Sequence, residues 1–188
     1  MKLTMIKHSE QQGFTLIEVL IAFVILSFGL LGAVALQAKA KQASFDSMQR
    51  AAAVVLGNDI IQRIRANDTP QLATLYKQNF SSETKASSST TCFNSSCSAA
   101  QIALLDIEQW KRAIRARENT GSLDSATVCI NPEAVAGTGG KGFNLEVIVT
   151  WQGRQEFSAN KETEGVTCGT ADKRRRLVVI TSYIYVRS

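Results

Sequence analysis

The chain has one histidine, His8, and two prolines, Pro70 and Pro132. The histidine lies in a short polar leader, ahead of a long apolar run. A chain trimmed behind it would hold none. That removes histidine metal ligands, Ser-His triads and Cys-His pairs together. Proline is absent before Pro70, so no proline interrupts a helix over the first third of the chain. Charge is absent from residues 19–38. Cysteine is absent until Cys92, and all four (Cys92, Cys97, Cys129 and Cys168) follow from there. An even number of cysteines in a membrane-anchored chain points to two disulfides in an oxidising compartment, the periplasm or outside. Three pairings are open, and sequence does not choose among them. With the cysteines paired, few nucleophile or ligand types remain. The reading is a non-enzymatic chain with no metal site and no cofactor.

What is present suits one membrane-anchored helix followed by one small domain in 188 residues. About 120 residues lie beyond that helix, enough for one modest core. The net charge is +5. Loss of Lys2, Lys7 and Glu10 with a thirteen-residue leader lowers it to about +4, too mild to imply a nucleic-acid partner. Lys2 and Lys7 flank the apolar run on one side and Lys39, Lys41 and Arg50 on the other. The positive-inside count is near balance and does not fix orientation.

The most informative segment is Gly13-Phe14-Thr15-Leu16-Ile17-Glu18, which leads directly into the uncharged run. A carboxylate in lipid costs roughly 2.5–3.5 kcal/mol on insertion scales unless it finds a partner. Cleavage between Gly13 and Phe14 would create an α-amino cation four residues from Glu18. Within one helix the two point in different directions; between staggered neighbouring helices they can pair. The competing reading is a secretory signal cut at Ala33-Val34-Ala35, which would release a soluble domain. The apolar run is longer than a usual signal core and carries Glu18 near its start, which favours assembly.

Gly13-Phe14-Thr15-Leu16-Ile17-Glu18-Val19-Leu20-Ile21-Ala22 resembles the class III signal of type IV pilins and the related pseudopilins. The resemblance implies cleavage after Gly13 by a prepilin peptidase, N-methylation of Phe14, and an assembly role for Glu18. Further along, Arg63-Ile64-Arg65-Ala66-Asn67, Asp106-Ile107-Glu108-Gln109-Trp110 and the Val-Ile-Val-Thr-Trp run at 147–151 resemble the PilV family of minor pilins. Many major pilins carry a proline where this chain has Ala35, so a proline kink is not available there.

Residues 1–13 read as a leader and 14–66 as one long helix, its membrane part about 14–38. Beyond the membrane, Phe45, Met48, Ala52, Val55, Leu56, Ile60 and Ile64 recur at three- and four-residue spacing and predict a buried face. Gln49, Arg50, Asn58, Asp59, Arg63 and Arg65 fill the rest. Asn67-Asp68-Thr69-Pro70 ends the helix. Residues 67–188 form the head domain. Within it, 81–100 read as an exposed Ser/Thr-rich loop in which Cys92 and Cys97 are close enough to close a small ring. Residues 101–118 read as a second helix with Leu104, Ile107, Trp110 and Ile114 on one face, stopped at Gly121. Strands are expected at 127–131, 143–151 and 177–186, with a turn at Gln152-Gly153-Arg154 and a short return through Phe157. The whole is an α+β arrangement: a long N-terminal helix, transmembrane then amphipathic, against a small antiparallel sheet with a second helix. On that layout a Cys129–Cys168 bridge would tie the start of the sheet to the loop before its last strand.

Several features carry two readings. Gly29 and Gly32 are either tolerated membrane-helix glycines or points of close helix approach. Gly137-Thr138-Gly139-Gly140-Lys141-Gly142 lacks the phosphate-loop spacing and precedes a strand, so it reads as a hairpin loop. Lys173-Arg174-Arg175-Arg176 is a candidate for phosphate contact, or a charged strand edge that blocks unwanted pairing. Trp110 and Trp151 read as core anchors.

The resemblance implies a minor pilin that helps initiate type IV pilus assembly and supports twitching motility and adhesion. Its partners would be the prepilin peptidase, other minor and major pilins, and the inner membrane, with a periplasmic head and later the pilus at the cell surface. The alternatives are a pseudopilin of a type II secretion system and a DNA-uptake pilin that uses residues 173–176.

Overall fold

A computed structural model describes residues 13–87, 92, 96–157 and 165–187. The leader through residue 12, with His8, and residues 93–95 of the small cysteine ring lie outside the described residues. Contacts divide the chain into two units, Met1–Ser44 and Phe45–Ser188. Helix α1, Leu16–Ala66, contributes residues to both.

From Val19 to Ala38 α1 carries no charge and is exposed throughout. One stretch of 18 residues reaches a mean hydropathy of 2.8 with no residue buried. By length and composition it can cross a membrane. Phe28, Leu31 and Leu36 are each at least 66% exposed. Continuous apolar surface on this scale calls for lipid or neighbouring helices.

The second unit has its own core. Helix α2 (Leu72–Tyr76) and strand β1 (Gln78–Ser81) follow α1; helix α3 (Ala99–Asn119) precedes β2 (Asp124–Ala134), β3 (Gly142–Gln152) and β4 (Arg175–Tyr185). The four strands form one antiparallel sheet in the order β1-β2-β3-β4. Alternation along β3 sends Phe143, Leu145, Val147, Val149 and Trp151 to the core. Leu56, Ile60 and Ile64 of α1 and Ile107, Trp110 and Ile114 of α3 complete it.

The buried stripe of α1 differs from the expected one. Met48 and Val55 are exposed, whereas Gln49, Ala53, Gly57 and Ile61 are buried. Gly57 explains part of the shift. A Cβ there would stand 2.6 Å from Ile180 Cδ1, so the bare backbone lets β4 come close. On α3 the inward face is Ala103, Ile107, Trp110 and Ile114; Leu104 is exposed. At about 100° per residue Leu104 lies roughly 60° from Ile107, outside the stripe. The ends of α3 follow sequence chemistry. Ser98 and Gln101 form a reciprocal capping box at its start. At its finish Gly121 adopts φ +70°, and the amides of Gly121 and Ser122 donate to Glu118 and Arg117 carbonyls.

Strand β2 is longer than 127–131 at both ends. It begins at Asp124 with a register shift before Thr127 and Ser125 at φ 46°, a β-bulge that breaks the alternation. It continues through Pro132 because β1 pairs only as far as Ile130, so the proline stands where that side of β2 has no partner strand. Residues 137–142 join β2 and β3 as a hairpin loop, with Gly137, Gly139 and Gly140 at positive φ. No return strand forms through Phe157; the segment bends and the Phe157 amide donates to Lys173 carbonyl. The basic run does not wholly precede the last strand, since Arg175 and Arg176 are its first two residues. Ser82, placed in the exposed loop by composition, is buried just past β1.

Candidate functional site: the helix start and the joint that carries the head

Gly13, Phe14 and Thr15 lie outside helical conformation and α1 begins at Leu16. Thr15 caps it. Its hydroxyl accepts from the Glu18 amide at 3.3 Å, and its carbonyl accepts from the Glu18 and Val19 amides. Glu18 thereby occupies the first turn, where the helix dipole favours a negative charge. Phe14, Glu18, Ala22 and Leu26 follow one another at four-residue steps and, with Val19 and Phe23, line a shallow groove. Among the described residues Glu18 is the only charged group lining it. Phe14 is 84% exposed, so the side chain beside the Gly13-Phe14 bond is open to its surroundings. Hydrophobic periodicity does not single out Thr15, although Thr-x-x-Glu is itself a helix-start signal.

A second constellation joins α1 to α3. The guanidinium of Arg63 donates to Asp106 at 3.2 Å, to Asp59 at 3.3 Å and to Gln109. Trp110 Nε1 donates to Asp59 at 3.0 Å. Asp106 also accepts from the buried Tyr76 hydroxyl at 3.0 Å, and Asn67 donates to that hydroxyl and to Ala99 carbonyl. Arg65 reaches Ser182 on β4. The Arg-Ile-Arg-Ala-Asn segment and the Asp-Ile-Glu-Gln-Trp segment are therefore two halves of one polar joint. Burial opposes the Arg63 charge, but the Asp106 hydrogen bond and the nearby Asp59 outweigh it and hold its pKa above the ordinary arginine value. Burial pushes the Tyr76 phenol well above the usual range, with Asp106 adding to the effect and Asn67 opposing it.

The disulfides are Cys92–Cys97 and Cys129–Cys168. The second ties β2 to the loop before β4 and packs with Ile148 and Val166. The basic run is partly committed to the fold. Arg175 donates to Val166 and Cys168 carbonyls; Arg176 donates to Gln155 carbonyl and stacks on Phe157 at 4.1 Å. Lys173 and Arg174 are exposed. Trp110 and Trp151 are both buried. Among the described residues no group of three or more metal-ligating side chains occurs.

Comparison with known families agrees with this layout. Residues 8–34 match the prokaryotic N-terminal methylation motif. Residues 35–108 match the Tt1218-like family, described as type IV pilin Tt1218, and include α2, β1 and most of the polar joint. No curated protein and no solved structure matches the chain. The pilin family is structural rather than enzymatic, and its prepilin motif implies processing by a prepilin peptidase and assembly with other pilins. The two matches meet between residues 34 and 35, and over residues 8–108 the chain is similar to the Tt1218-like type IV pilins and to the N-terminal methylation motif.

Proposed function

We propose that this pilin is a PilV-like minor subunit that helps initiate pilus assembly. Its helix waits in the inner membrane, with the leader in the cytoplasm and the head in the periplasm. Prepilin peptidase cuts after Gly13, Phe14 is N-methylated, and the helix moves into the filament bundle. Glu18 then pairs with the Phe14 amine of a neighbour and sets the stagger. Twitching motility and adhesion depend on the subunit through the filament it helps to start.

The observation that carries this reading is one carboxylate in the first turn of an exposed, otherwise apolar helix face, four residues from the Gly13-Phe14 junction. A buried ion pair that loses one partner is destabilised by about 3–5 kcal/mol, which gives the pairing enough weight to decide incorporation. The Arg63–Asp106 joint supports the PilV-like assignment, because it makes structural sense of both resembling segments. The same N-terminal apparatus serves pseudopilins; two disulfides and the Arg-Ile-Arg-Ala-Asn segment favour the pilus. Glu18→Ala is expected to be cleaved normally, remain in the membrane and be lost from sheared filaments. Thr15→Ala, which removes the cap and keeps the charge, separates pairing from helix initiation. Wild-type incorporation of Glu18→Ala would contradict the pairing.

A further inference from the structure

The face of the sheet turned away from the core is divided into two halves. Its rungs follow from the strand register. Thr127, Thr150 and Leu177 form one, and Cys129, Ile148 and Val179 the next. The loop bearing Cys168 lies over these: Cys168 is bonded to Cys129, Val166 packs on Ile148, and Gly169 sits against Thr150. Cover ends there. The next two rungs, Asn131–Glu146–Thr181 and Glu133–Asn144–Tyr183, floor an open concavity of about 510 Å³.

All six of these side chains are polar or aromatic, and both charges are negative. Glu146 accepts one hydrogen bond, from Asn131 at 3.3 Å. Among the described residues neither Glu133 nor Glu146 makes an ion pair, and Lys141 in the adjoining hairpin loop pairs with neither. Tyr183 is 52% exposed, and its hydroxyl stands 2.6 Å from where a Cβ on Gly142 would be. Its ring thus lies down along the sheet and offers a face to solvent. Two carboxylates beside an open aromatic face suit a cationic side chain.

The matching cations stand at the other end of the sheet. Lys173 and Arg174 are exposed at the turn into β4, beside Gln152. Six residues of β3 separate Glu146 from Gln152, about 20 Å at strand rise, so the two ends cannot meet within one head. Two unlike, complementary patches at opposite ends of one head make a heterologous contact, the kind that repeats into a helical array.

We propose that the shelf is the acceptor half of a head-to-tail contact between two copies of this chain. Lys173 and Arg174 of a second copy lie against Glu133 and Glu146, over the ring of Tyr183. Exposed ion pairs of this kind are weak singly. They take effect where anchored helices hold the heads at high local concentration. The contact uses neither Glu18 nor a cleaved N-terminus, so it stands apart from the processing reading and is tested without it.

The test reconstitutes the full chain in phosphatidylcholine vesicles, mixing normal and nitrogen-15-labelled copies. A carbodiimide joins carboxylates to amines only where they touch, and mass spectrometry reads mixed-isotope links. Links from Lys173 to Glu133 or Glu146 are expected, and 1 M salt should suppress them. Arg174→Glu leaves both linkable groups in place and should lower these links about tenfold or more. The swap E133K/E146K/K173E/R174E should restore links with the roles reversed. Mixed links confined to other sites such as Lys39 or Lys41, or Lys173 links indifferent to Arg174→Glu, would overturn the proposal.

Discussion

Asp106 is the residue on which the polar joint turns. It is buried, and its two oxygens divide the work: one accepts from Arg63 and the other from the Tyr76 hydroxyl. Asp106→Ala leaves the phenol with Asn67 alone and Arg63 with its outer partners Asp59 and Gln109. Arg63 is about two-fifths exposed and regains water, so the ion pair itself is worth little. The main loss is the buried hydrogen bond, and a destabilisation of about 1–3 kcal/mol is expected in chemical denaturation. A change under about 0.5 kcal/mol would mean that the joint is ornamental. The residue scale also marks where sequence stops being legible. Periodicity finds Ile60 and Ile64 but puts Gln49 outside and Val55 inside, because it has no knowledge of which neighbour approaches. Gly57 adds nothing to that periodicity; only the position of Ile180 shows it as the place where β4 comes in.

Among the elements, the loop before β4 is held by two devices of different chemistry. The Cys129–Cys168 bridge closes a long loop, with a sequence separation of 39, whereas Cys92–Cys97 spans 5. On loop-closure entropy the first stabilises by about 4 kcal/mol and the second by about 2 kcal/mol. Paired substitution by alanine should therefore cost roughly twice as much at 129 and 168 as at 92 and 97, a ranking that thermal unfolding reads directly. The second device is Asp172, whose carboxylate accepts from Gln152 Nε2 and from the amides of Arg174 and Arg175. These bonds, the Gln152 one foremost, hold its pKa below the ordinary 3.8. A depressed carboxylate stabilises the fold above its unfolded pKa, and that contribution is lost as pH falls through the folded value. The protection of the Arg174 and Arg175 amides, measured against their intrinsic exchange rates, should fall below pH 3.8 while the middle of β3 stays protected; Asp172→Asn should lower that protection already at neutral pH. Long elements were legible: α1, α3, β3 and β4 each follow a repeated hydrophobic period. Short ones were not. β1 has one apolar residue in four, Phe80, and α2 is five residues long, too few for any period to register.

For the whole molecule, two kinds of surface require two kinds of surroundings. From Phe14 to Leu36 the chain exposes nearly every large apolar side chain it has. The head domain, by contrast, has a closed core and two disulfides that need an oxidising compartment. The boundary between them was readable because it is written in composition: an uncharged run, then charge, then cysteine. Whether the apolar helix serves as an anchor, a discarded signal or a filament stem depends on a covalent event at one bond. The measurement that decides it is the N-terminal residue and intact mass of the protein taken from native membranes with the prepilin peptidase present. N-methyl-phenylalanine at position 14 is the predicted result. A chain that begins near Leu36, or one that still begins at Met1, would contradict it.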